Sequence, residues 1–77
     1  MGQKVIIIGG IGTGTIIAQA INDANIRGNK EIIVHGFMSH DKEIGDDIEG
    51  FPVVVKQSAE NVLKCFNKGY KFIFALH

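Results

Sequence analysis

Residues 4–21 read KVIIIGGIGTGTIIAQAI, and few folds accommodate that order. Val5-Ile6-Ile7-Ile8 has no polar alternation, the mark of a central parallel strand covered on both faces. Gly9, Gly10, Gly12 and Gly14 then let the backbone bend and lie close against a neighbour. Beyond them Ile16, Ile17, Ala20, Ile21 and Ala24 recur at the spacing of one helical face, with Gln19, Asn22 and Asp23 opposite. A strand that runs through a glycine turn into a helix offers unpaired backbone N–H groups and the positive end of the helix dipole. Such a corner favours an anion, phosphate first; the alternative is a tight turn that only joins strand to helix.

The glycine pattern narrows the choice. Gly9 and Gly14 have the separation of a P-loop, but Thr15 and Ile16 follow where a lysine is needed for the β and γ phosphates. Gly10 and Gly12 supply the first two glycines of the dinucleotide fingerprint, and Thr15 takes the place of the third, which packs helix against strand. That fingerprint also wants an acid roughly 20 residues on, where His35 and Gly36 stand; Asp41 comes later. Thr13 and Thr15 suit either a phosphate contact or a helix cap, and sequence does not separate the two.

The rest of the chain fits one small α/β domain spanning residues 1–77. Nineteen Ile and Val against two Leu favour buried strands over a helical bundle. Arg27-Gly28-Asn29-Lys30 closes the first helix, and EIIVHGFM, 31–38, is a second strand, which completes a right-handed βαβ unit. Residues 39–50, SHDKEIGDDIEG, concentrate five of the eight carboxylates and read as a solvated loop. Pro52 precedes a third strand at Val53-Val54-Val55. Ser58 caps a second helix whose Ala59, Val62, Leu63 and Phe66 share one face, and Lys64, Lys68 and Gly69 close it. Residues 70–76, YKFIFAL, form a fourth strand. The expected architecture is a Rossmann-like parallel sheet of about four strands with flanking helices. It ends where a doubly wound domain would continue, so we expect the amino-terminal part of a longer protein.

Zero net charge leaves no electrostatic footprint for sequence-independent binding of nucleic acid or an anionic membrane. No apolar run is long enough for a signal peptide or a membrane span, and the lone Cys65 agrees with a reducing compartment; the expected location is cytoplasmic. His35, His40 and His77 are too scattered for a local metal motif, so no metal is expected. His35 reads as a core or edge strand residue and Cys65 as a small packed one.

KVIIIGGIGTGTIIAQAI, GFMSHDKEIGDDIEGFPVV and NKGYKFIFALH together resemble, across essentially the whole chain, the amino-terminal domain of bacterial sugar acyltransferases. These are the enzymes related to sialic acid O-acetyltransferase and the N-acetyltransferase of bacillosamine synthesis. Gly9, Gly10, Gly12 and Gly14 match that family's glycine loop, with Ile11 and Thr13 departing from it. Gly36-Phe37-Met38-Ser39-His40-Asp41 keeps one acid of its GFLDD pair, and Ala75-Leu76-His77 departs from its final glycine.

The resemblance implies a nucleotide-activated sugar, a UDP-sugar, as ligand. It implies a following left-handed β-helix, absent from these residues, that binds acetyl-CoA, supplies the catalytic histidine and forms a homotrimer. No catalytic residue and no cofactor are then expected in this chain. The substrate-binding candidates are Gly9, Gly10, Ile11, Gly12, Thr13, Gly14, His40 and Asp41, with Asp41 an acceptor for base or ribose hydrogens and His40 either a nucleotide contact or an exposed loop residue. Two alternatives stand beside this: an NAD(P)-binding or redox-sensing domain, and a non-catalytic interaction domain whose ligand site has degenerated at Ile11, Thr13 and Ser39.

Overall fold

The computed structural model describes residues 2–9 and 11–75. Along the chain it has β1 (Gln3–Gly9), α1 (Ile11–Ile26), β2 (Ile32–Ser39), β3 (Asp47–Ile48), β4 (Phe51–Lys56), α2 (Ala59–Asn67) and β5 (Lys71–Ala75). One five-stranded sheet runs in the order β3-β4-β2-β1-β5. β1 pairs in parallel with β2 and β5, β2 in parallel with β4, and β3 antiparallel with β4. The architecture is therefore mixed α/β with a mostly parallel sheet, of five strands where the sequence predicts about four.

The extra strand lies inside the acidic segment that reads as a loop. Glu49 and Gly50 both have positive φ, 52° and 90°, as the two central residues of a type I′ hairpin turn require. Ile48 pairs with Phe51 across that turn and is buried. The Asp47 carboxylate accepts from the Gly50 N–H at 2.9 Å. β4 accordingly starts at Phe51, two residues before the predicted strand, with Pro52 inside it.

The uninterrupted apolar run of β1 is explained by coverage on both faces. Ile7 points to one side with Phe37, Val53, Ile48 and Ala75, where Ala18 of α1 joins them. Ile6 and Ile8 point to the other with Met38, where Val62 and Cys65 of α2 pack. The helices thus sit on opposite faces, but not by all the residues the periodicity suggests. Ile16 is 70% exposed because it stands opposite Gly14 and Ala18 on α1, and these small residues are what touch the sheet. On α2, Leu63 and Phe66 are exposed while Val62 and Cys65 face inward.

Both helices stop as predicted. Asn29 N–H donates to Ala24 O at 2.9 Å and Gly28 N–H to Asn25 O at 3.0 Å, with Gly28 at φ 100°. Tyr70 and Gly69 repeat this pattern on Cys65 O and Phe66 O. These are paired Schellman closures, each needing a left-handed glycine. Ser58 caps α2, its hydroxyl accepting from the Asn61 N–H at 3.1 Å.

Candidate functional site

Parallel strands bring their carboxyl ends to one edge, and the sequence candidates gather there because β1 and β2 run side by side. Ile8 pairs with Met38, Gly9 with Ala75, and Ser39 with Lys56, so Gly9, Ser39, Lys56 and Ala75 end the four parallel strands along that edge. At the centre of the row the strand order reverses: α1 follows β1 toward β2 on one side, while β5 closes the other. Gly9 has φ 122°, and an added Cβ there would strike the Ala75 carbonyl, so both conformation and space demand glycine.

Helix α1 begins at Ile11, with only one residue between it and the end of β1, so most of the expected glycine loop is helix. Ile11, Gly12 and Thr13 occupy its first turn, where backbone N–H groups lack intrahelical partners. That turn holds no acidic residue of its own. Gly14 has a different task. It is buried, and a Cβ on it would lie 2.9 Å from Phe37 Cε1 and 3.4 Å from Ile7 Cγ2. The close helix-to-strand contact expected at Thr15 is thus made by Gly14, with Thr15 buried beside it. Gly10 lies outside the described residues, as does His77.

His40 and Asp41 stand at this edge on the loop after β2. Both are exposed, with His40 Nε2 3.2 Å from Asp41 Oδ1. The loop is organised by two residues that the sequence reading assigned no such role. The Ser39 hydroxyl accepts from the Asp41 and Lys42 N–H groups at 3.1 and 3.0 Å. The Lys56 ammonium donates to Lys42 O at 3.0 Å and His40 O at 3.4 Å, and pairs with Glu43 Oε1 at 3.5 Å. Asp46 accepts from the Glu43 N–H at 2.9 Å. Glu43, Asp46 and Asp47 are therefore engaged in local structure, and the acidic loop folds on itself after β2.

His35 and Cys65 lie away from this edge. His35 is half-buried where the β1–β2 register shifts, its ring 4.7 Å from that of Tyr70. Burial, then the neighbouring Lys4 ammonium, holds its imidazole below the ordinary range. Cys65 is a free thiol packed against the Ile6–Ile8 side of the sheet. No helix among the described residues is long and apolar enough to cross a membrane. Compared with known protein families, curated proteins and solved structures, the chain matches none.

Proposed function

We propose that this chain is a Rossmann-like nucleotide-recognition domain whose ligand is a nucleotide-activated sugar, with the diphosphate resting on the first turn of α1. The observation that carries the reading is the junction of β1 and α1. Gly9 ends the central strand and the helix opens two residues later, at the point where the order of the parallel strands reverses. Crevices at such switch points, outside the carboxyl ends of the strands, are where open parallel sheets bind ligands. In chain order the four parallel strands stand third, second, first, fourth, which agrees with one half of a doubly wound sheet. The Ile11, Gly12 and Thr13 N–H groups, unopposed by any acid in that turn, favour phosphate.

The sugar-nucleotide class comes from the residue resemblance to the sugar acyltransferases, and so does the assignment of acyl transfer to a further β-helix domain. Ser39, and not a carboxylate, ends β2, and its hydroxyl is already bonded to the Asp41 and Lys42 amides. This argues against the NAD reading, which wants an acid there for the ribose. Asp41, exposed two residues further on, is the acceptor proposed for the nucleoside end. Calorimetry with UDP tests the proposal: the native chain binds, and Gly12→Val, which adds a branched side chain to the first turn of α1, loses most of that affinity while its urea midpoint changes little. Equal affinity in the two would reduce the glycine turn to a connector.

A further inference from the structure

A second site lies on the other face of the sheet. Between α2 and strands β2 and β4 there is a cleft of about 190 Å³, floored by Ile6, Val54 and Val55. That volume is below the roughly 300–1,000 Å³ of sites for drug-sized ligands and admits a single ring rather than a nucleotide. His35 and Tyr70 form one wall with their rings inclined at 34°, a surface suited to an aromatic edge or face. Lys64 on α2 and Lys68 at its C-cap, four residues apart, also line the cleft.

The cations here are in surplus. Lys64 shares Glu60 at 3.3 Å in an exposed pair, of the kind that contributes little and yields readily to a competing anion. Lys68 belongs to no ion pair among the described residues, and Lys4 is close enough to act on His35. The wider charge pattern runs the same way. Residues 39–50 hold five of eight carboxylates and one of eight Lys and Arg residues, so the remainder carries seven cations against three carboxylates.

We propose that this cleft binds a small aromatic carboxylate, its ring on Val54 and Val55 against the Tyr70–His35 pair and its carboxylate between the Lys64 and Lys68 ammonium groups. The ring needs the apolar floor, and the charge needs the lysines; neither half alone accounts for the lining. His35 enters neutral and gains an anionic neighbour, so binding raises its pKa. The charged or titratable groups around it are Lys4 from β1, Lys64 and Cys65 from α2, Lys68 at the α2 C-cap, and Tyr70 just before β5; β4 contributes only Val54 and Val55 to the lining.

Benzoate titrated into the full ¹⁵N-labelled chain, followed by amide and imidazole resonances, provides the test. The expected result is saturable shifts at His35, Cys65, Lys68 and Tyr70 and an upward move of the His35 pKa. Benzamide, which keeps the ring without the charge, and inorganic phosphate, which keeps a charge without the ring, should each bind about tenfold more weakly or worse, as should benzoate to Lys68→Gln. Lys68 is exposed, so that variant retains the native amide spectrum. Benzamide equal to benzoate, an unchanged affinity in Lys68→Gln, or shifts confined to the α1 amino terminus would overturn the proposal.

Discussion

Gly14 and Gly36 are both held to glycine by their neighbours, but the neighbours differ in how far they can yield. A methyl at Gly14 meets the edge of the buried Phe37 ring at 2.9 Å, whereas one at Gly36 meets the Pro52 carbonyl and Val54 Cγ1, each at 2.6 Å. Overpacking costs about 1–3 kcal/mol, and at Gly14 about 1 kcal/mol returns from the better helix propensity of alanine. Gly14→Ala should therefore lose about 1 kcal/mol, and Gly36→Ala, set against backbone, about 3 kcal/mol. Urea midpoints in the opposite order would contradict this packing. His35 gives a second check at this scale. Its folded pKa lies below the ordinary 6.5, so as pH falls the unfolded chain takes the proton first. The stability tied to neutral His35 is intact above pH 6.5 and declines as pH falls through the lowered folded value. His35→Gln should flatten the fall in urea midpoint between about pH 7.5 and 5; an unchanged slope would contradict it.

Helix α2 is held more by its ends than by its face, since none of its residues is fully buried. Removing the Ser58 cap should cost about 1 kcal/mol. Because the helix packs shallowly, amide exchange in Ser58→Ala should quicken across Ala59–Asn67 and leave β1 unchanged; uniform quickening would mean that α2 opens only with the whole molecule. The ends of both helices were legible in the sequence, since Ser58, Gly28 and Gly69 each solve a backbone problem at a fixed offset. Their inward faces were legible only in part. Periodicity finds an apolar stripe but not the angle at which the sheet meets it, so Ile16, Leu63 and Phe66 read as core and lie outside. Strand β3 was hidden because Glu49 adopts a positive φ that no sequence pattern assigns to glutamate.

For the molecule as a whole, the location of the candidate site was readable once β1 and β2 were read as parallel, because that alone sets Gly12 and Asp41 at one edge. The furniture of the edge was not readable. Lys56 bonds to carbonyls 14 and 16 residues away, and backbone acceptors leave no trace in side-chain spacing. Under the proposed division of labour, this edge binds a sugar nucleotide but holds no base set against a thioester. General-base acyl transfer needs such a group within about 3 Å of the attacking atom, together with donors for the oxyanion. The chain alone should then consume no acetyl-CoA in the presence of a UDP-sugar; consumption abolished by His40→Ala would make this small domain itself the enzyme.

The central claim is that the first turn of α1 seats a nucleotide diphosphate, and an amide chemical-shift titration of the ¹⁵N-labelled chain with UDP tests it most directly. We predict saturable shifts centred on Ile11, Gly12 and Thr13, extending to Asp41 and Lys42 after β2, and lost in Gly12→Val. Uridine without phosphate should leave the helix amides unmoved. Silence at Ile11–Thr13 under saturating UDP, or shifts that gather instead around Lys64 and Lys68 across the sheet, would contradict the claim.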